Sequence, residues 1–344
     1  LWLTASRARS QMLMYGLLVG GGLNAIFGVV DLYLPGRLLP WLYGQFELPW
    51  VVGSYANRNH FAALMAMCVP VGLGLAYWNF SVFRYAAGHS SRPVRALDFA
   101  TGPGGGVLFL VVLCVSAILL SGSRGGVIAV CTGCGLAGLL FLGRLGAGRQ
   151  ARPLVWLMLL VVALSLVWTG TGVVGERVGE LGLSSNRVAL NRAVLPMVGV
   201  SPLIGFGGGT FETVFPSFKT SEFGLSNFGV VYTHAHNDFL EAFVEYGLVG
   251  CVFLGGGLGL LLCKGIAALR KRRDPLARSV AFGCVGATTA LLVQGLVDFN
   301  FHIPANAAIW FVVLGAGCLC ATLPRAGRGS RDEESGRRAK QGRR

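Results

Sequence analysis

Charge is scarce in this chain: charged side chains are 13% of its 344 residues, and Asp and Glu together number 15. A soluble domain carries about a quarter charged residues, so a water-facing surface is excluded over most of the sequence. The 53% hydrophobic content and mean hydropathy of +0.63 point instead to an integral membrane protein. No cleavable signal precedes the first apolar run, and no Met opens the chain at Leu1. The first helix is therefore expected to be retained, with further sequence expected upstream of it. A disulfide framework is absent as well. All nine cysteines lie in apolar spans or at their edges, and Cys131-x-x-Cys134 reads most simply as two small residues on one helix face rather than a redox or metal pair.

Long apolar runs are abundant. Windows of about 18 to 20 residues, enough to cross a hydrocarbon core of about 30 Å, fall near 12–30, 61–79, 104–121, 126–143, 153–171, 246–263, 279–297 and 304–323. The 52 glycines, some in runs such as Gly20-Gly-Gly22 and Gly255-Gly-Gly257, permit close approach between membrane helices. The fold expected is all-α: a polytopic transmembrane helix bundle of about eight spans. Its divisions are an N-terminal bundle over 1–171, a large extramembrane loop with amphipathic helices over 172–245, C-terminal helices over 246–323 and a disordered basic tail over 324–344.

The 29 basic residues alternate between loops: 22 fall before the first span, in the second, fourth and sixth connections and in the tail, and 7 fall in the others. By the positive-inside rule both visible termini are cytoplasmic. The +14 formal charge is then a cytoplasmic signature, resting the tail on anionic membrane lipids, and not a nucleic-acid footprint.

Under that orientation five polar motifs, each beside an apolar helix end, map to the exported face. The first, Gly53-Ser-Tyr-Ala-Asn-Arg-Asn-His60, offers Asn57 or Asn59 as a helix cap, or Asn59 and His60 as part of a site. Leu120-Ser-Gly-Ser-Arg-Gly-Gly126 holds Arg124 at the hydrocarbon edge, either snorkelling to lipid phosphates or serving as an anion contact. Ser184-Ser-Asn-Arg187 heads a capped amphipathic helix ending before Pro202, with Arg187 at head-group depth. His234-Ala-His-Asn237 is followed by Asp238, Glu241 and Glu245, whose i, i+3 and i+4 spacing shares one face if a helix has begun. Val297-Asp-Phe-Asn-Phe-His-Ile-Pro304 adds Asp298 and His302. A site assembled from several helix ends is implied.

These residues resemble the O-antigen ligase and polymerase superfamily of bacterial inner-membrane glycan enzymes. The resemblance rests on His236-Asn237 followed by Gly247-x-x-Gly250, on Ser123-Arg-Gly-Gly126, on Ser185-Asn-Arg187 with Pro202-x-x-Gly205-x-Gly207, and on Asp298-Phe-Asn-Phe-His-Ile-Pro304. Together these span roughly residues 50–320. The family often carries an aromatic four residues after the loop arginine, where this chain has Asn191.

The resemblance implies transfer of a glycan from an undecaprenyl-diphosphate carrier to a hydroxyl acceptor, either lipid A–core or another lipid-linked glycan, at the periplasmic face. No cofactor, metal or nucleotide sugar is expected. The exported face has no Asp-x-Asp pair for Mg²⁺ but offers Arg124 and Arg187, whose planar forks suit a diphosphate leaving group. His236 is the candidate base, with His234, Asn237 or a neighbouring carboxylate as orienter, and Asn59, His60, Asp238, Glu241, Asp298 and His302 in support. His234-x-His236 also reads as two zinc ligands, with His60 or His302 to complete a site. The competing class is an anion or small-solute transporter using the same arginines. Against it, the polar residues gather at one end and no internal repeat is evident.

Overall fold

The computed structural model describes residues 6–34, 49–86, 92–142, 181–219 and 231–320, and every regular element among them is helical. In order these are α1 (Arg7–Tyr33), α2 (Arg58–Ala86), α3 (Arg92–Thr101), α4 (Pro103–Leu120), α5 (Arg124–Leu142), α6 (Leu181–Val200), α7 (Asp238–Lys271), α8 (Pro275–Gly295) and α9 (Pro304–Cys320). A helical turn (Phe211–Val214), a 3-10 turn (Phe215–Phe218) and another 3-10 turn (Asn300–His302) complete the set. Helices α1, α2, α4, α5, α7 and α8 are long and apolar enough to cross a membrane, and α9 is a shorter apolar helix of 17 residues. They answer the expected spans except 153–171, which, like the basic tail, lies outside the described residues.

The bundle is centred on α2 and α8. Of the 21 residues in α8, 18 are buried, as expected of a helix apolar on all sides. Small residues set the spacing: a Cβ on Gly74 would stand 2.5 Å from the Ser279 carbonyl oxygen, and one on Gly286 would stand 2.5 Å from Pro70 Cβ. A side chain at either position would push the central pair apart. Around this pair stand α1, α4, α5, α7 and α9. At one end of the bundle Arg7 forms a two-pronged ion pair with Asp274 at 2.9 and 2.9 Å, while Asp274 also caps α8 through Ala277 N–H. The polar motifs gather at the other end.

Three features differ from the sequence expectation. Helix α3 was not anticipated. Its Phe99 ring packs edge-on to Phe80 and Phe83, so a segment short of a full apolar span is held against its neighbours by aromatic contact. Helix α6 already includes Leu181, ahead of the expected Ser184 start.

Most important for the site, α7 begins at Asp238 rather than 246, and Gly247 breaks it with φ 61° and ψ −170°, a conformation open essentially to glycine alone. A break of this kind leaves backbone groups without helical partners. The segment Pro202–Gly207 supplies them. Phe206 and Gly207 N–H donate to the carbonyls of Val244 and Glu245, and Leu248 and Val249 N–H donate to those of Pro202 and Leu203, all at 2.8 to 3.0 Å. Gly205 and Gly247 are where the two backbones touch, since a Cβ on either would overlap the other's main chain. A small apolar cluster of Leu190, Val194, Met197, Phe211, Phe215 and Val244 docks α6 on the same helix. The other side of this insertion leaves Leu195, Val200, Leu203 and Ile204 exposed.

Candidate active site

The site grows from the N-terminus of α7. Asn237 is its cap: the side-chain oxygen accepts from Phe239 N–H and Leu240 N–H, both at 3.1 Å. That use accounts for Asn237 after His236, and it gives Asn237 a positioning role in place of direct contact with the histidine. His236 itself has φ 52°, the one non-glycine residue with positive φ among those described. Such backbone conformations cost on the order of 1–3 kcal/mol and cluster at functional sites.

The strained turn presents the His236 ring to Asp298, whose side chain is 1% exposed. Asp298 is a hub. Its Oδ1 lies 3.1 Å from His236 Nδ1 and accepts from Phe299 N–H at 3.0 Å; its Oδ2 accepts from Asn59 Nδ2 at 2.8 Å and meets Arg187 Nη2 at 3.5 Å. His60 Nε2 stands 3.6 Å from Oδ1, beyond hydrogen-bond distance. Burial works to raise the Asp298 carboxyl, but the hydrogen bond from His236, the nearby His60 ring and the Arg187 charge overcome it, holding the group well below the usual carboxylate range. An ionised carboxylate only accepts, so His236 Nδ1 carries a proton, and the neutral form of the ring then has its lone pair on Nε2.

Asn59 links Asp298 to the neighbouring helices. It accepts from Ser123 Oγ at 2.9 Å through its side chain and from Gln294 Nε2 at 2.7 Å through its carbonyl. Asn57 takes the capping duty, accepting from Asn59 N–H at 2.8 Å, so the two asparagines divide the roles left open by the sequence. Arg187 also donates to the Val297 carbonyl at 2.9 Å, and its side chain remains 38% exposed. Arg124, adjacent to Ser123 at the start of α5, is exposed and has no hydrogen bond or ion pair among the described residues.

His234 does not join His236. Its Nδ1 lies 2.7 Å from Glu241 Oε1, and the other oxygen of Glu241 accepts from Ala235 N–H at 2.8 Å. His302 completes this second cluster, with Nδ1 2.9 Å from Asp238 Oδ1 and Nε2 3.5 Å from Glu241 Oε1. The hydrogen bond to Asp238 raises the His302 pKa above its ordinary value; burial opposes the shift and the carboxylates of Glu241, Asp238 and Glu245 reinforce it. Phe299 divides the two clusters. His234 stacks on its ring at 4.2 Å, while His236 and His60 meet it edge-on at 4.8 and 4.6 Å. The His-x-His spacing therefore does not mark two ligands of one ion.

Sequence reasoning passed over Ser123, Gln294 and Phe299. The signal for Phe299 and Ser123 was their place inside the Asp298–His302 and Ser123–Gly126 motifs, where neither was given a role; Gln294 offered only its nearness to a helix end. An open cavity of about 1030 Å³, lined largely by apolar residues of α1 and α9 such as Leu17 and Ile309, reaches His60 from the side of the bundle.

Residues 109–255 match the model of the O-Antigen ligase family. That likeness covers somewhat less than half of the 344-residue chain. The ligase-family match takes in Arg124, Arg187, His234, His236 and Glu241, whereas Asn59, Asp298 and His302 lie outside it, in α2 and in the connection from α8 to α9. No curated protein matches the chain. A ligase-type membrane glycosyltransferase is the activity this family supports.

Proposed function

We propose that the protein transfers a glycan from an undecaprenyl-diphosphate carrier to a hydroxyl acceptor at the periplasmic face of the bacterial inner membrane, both visible termini being cytoplasmic. The observation that carries the reading is the His236–Asp298 contact at 3.1 Å with Arg187 on the same carboxylate, in a chain whose residues 109–255 match the O-Antigen ligase model. Asp298 fixes the tautomer of His236, and Nε2 takes the proton of the acceptor hydroxyl. The hydroxyl oxygen bonds to the anomeric carbon from the side opposite the leaving group. The sugar–phosphate C–O bond breaks, its electron pair passes to the diphosphate, and the configuration inverts.

Negative charge then develops on the leaving group. The open part of the Arg187 fork and the exposed Arg124 supply the stabilising cations without a metal. Gly125 packs close to Val297, which brings Arg124 to the side of the site where Arg187 is anchored. The apolar cavity ending at His60 fits the polyprenyl tail of such a carrier. Lipid A–core and a second lipid-linked glycan remain the two acceptor classes, distinguishing a ligase from a polymerase.

Reconstitution of the purified chain with lipid-diphosphate glycan and each acceptor tests the reading. Product is expected to form in EDTA, with inverted anomeric configuration by NMR, and to disappear in His236→Ala. Full activity of that variant would sink the assignment. Solute flux into proteoliposomes with no glycan product would replace it with a transporter.

A further inference from the structure

The second cluster has no part in the transfer chemistry above, yet it is built like a ligand set. One ligand atom from each of His234, Glu241 and His302 lies within 4.8 Å of the other two, with Glu241 Oε1 2.7 Å from His234 Nδ1 and 3.5 Å from His302 Nε2. We propose that these three atoms bind a divalent transition-metal ion of the zinc class, with a fourth coordination position open to water.

Geometry supports this. Zinc sits about 2.0–2.1 Å from nitrogen and oxygen ligands, so tetrahedral neighbours stand roughly 3.3 Å apart. The Glu241–His302 separation of 3.5 Å is close to that, and the Glu241–His234 separation of 2.7 Å opens by about 0.6 Å to reach it. The outer contacts are those a metal site uses. His302 is held through its other nitrogen by Asp238 at 2.9 Å, and Glu241 is held through its other oxygen by Ala235 N–H at 2.8 Å, which leaves His302 Nε2 and Glu241 Oε1 for an ion.

Charge supports it too. Asp238, Glu241 and Glu245 are 4%, 1% and 2% exposed, and among the described residues no Lys or Arg side chain pairs with them. Buried carboxylates need a cation or a proton, and two imidazoles alone leave the cluster short of one. Two imidazoles and one carboxylate suit zinc in preference to Mg²⁺ or Ca²⁺, which take oxygen-rich sets. Once bound, the ion joins the His234 turn, the first turn of α7 and the Asn300–His302 turn.

The test uses the full chain in detergent, stripped of metal and titrated with Co²⁺ as a spectroscopic probe, and needs no glycan substrate, so its outcome is separate from that of the transfer assay. The expected result is one equivalent bound, with visible ligand-field bands, no thiolate charge-transfer band, and displacement by Zn²⁺. His302→Gln and Glu241→Gln should each weaken binding by more than 100-fold. Asp238→Asn should weaken it by about 10–100-fold, and His236→Ala by less than about threefold. Absence of stoichiometric binding, a thiolate spectrum from the cysteines, or wild-type affinity in folded His302→Gln and Glu241→Gln would each overturn the site.

Discussion

Replacing Asp298 with Asn changes the hub of the site while keeping its shape. The carboxylate sits at 1% exposure, accepting from His236, Asn59 and Phe299 N–H and facing Arg187. Removing one partner from a buried charge pair costs about 3–5 kcal/mol. Arg187 is 38% exposed and so partly solvated, which places the expected loss of folding stability near the lower end, about 3 kcal/mol. The kinetic effect has a separate cause. An amide that turns its NH2 toward His236 Nδ1 moves the ring proton to Nε2, and no base then faces the acceptor.

A general base held in the wrong tautomer loses a factor on the order of 10³–10⁴ in kcat, or about 4–5.5 kcal/mol of barrier. Initial rates at saturating donor, measured on the reconstituted chain, give that factor directly. The double variant with His236→Ala should be no slower than His236→Ala alone, because the two residues act as one unit. An Asp298→Asn enzyme within tenfold of wild type, alongside an inactive His236→Ala, would refute the role given to the carboxylate.

Gly247→Ala should cost at least about 3 kcal/mol and abolish the docked insertion, since φ is 61° and a Cβ would overlap the Leu203 carbonyl; thermal unfolding in detergent reads this, and a wild-type midpoint would contradict it. Arg187→Lys keeps the charge but cannot reach the Val297 carbonyl, Asp298 and a phosphate together; kcat/KM for the lipid-linked donor should fall by roughly 10–100-fold, and an unchanged value would remove Arg187 from the diphosphate contact. The folded pKa of Asp298 lies below its unfolded value of about 3.9, so its stabilisation is complete above that pH and is lost as the pH falls through the lower folded value. Asp298→Asn should therefore lose stability at pH 6 and show a shallower acid limb below about pH 4, a difference that pH-dependent unfolding will show or deny.

Much of this was legible because a membrane helix announces itself by length and lack of charge. Six long apolar helices and α9 fell where hydropathy put them, and the polar motifs gathered at one end of the bundle. What the linear chain concealed was partnership. His234 and His236 are two residues apart, yet they part around Phe299, because the positive φ at His236 turns its ring toward Asp298, 62 residues on. Likewise Gly247, singled out in the sequence as one of two spaced glycines, gives no sign there of a helix break that the strap at Pro202–Gly207 fills. Periodicity cannot report a helix that is kinked at one residue and then resumes, so the start of α7 was placed too late.

That strap has a consequence for how the chain opens. The amides of Phe206, Gly207, Leu248 and Val249 are protected by bonds that cross between segments some 40 residues apart in sequence. None of them can be exposed by fraying of a single helix. Hydrogen exchange at these four positions should therefore share one opening free energy, and the insertion with the first turns of α7 would come away from the bundle as a single cooperative unit.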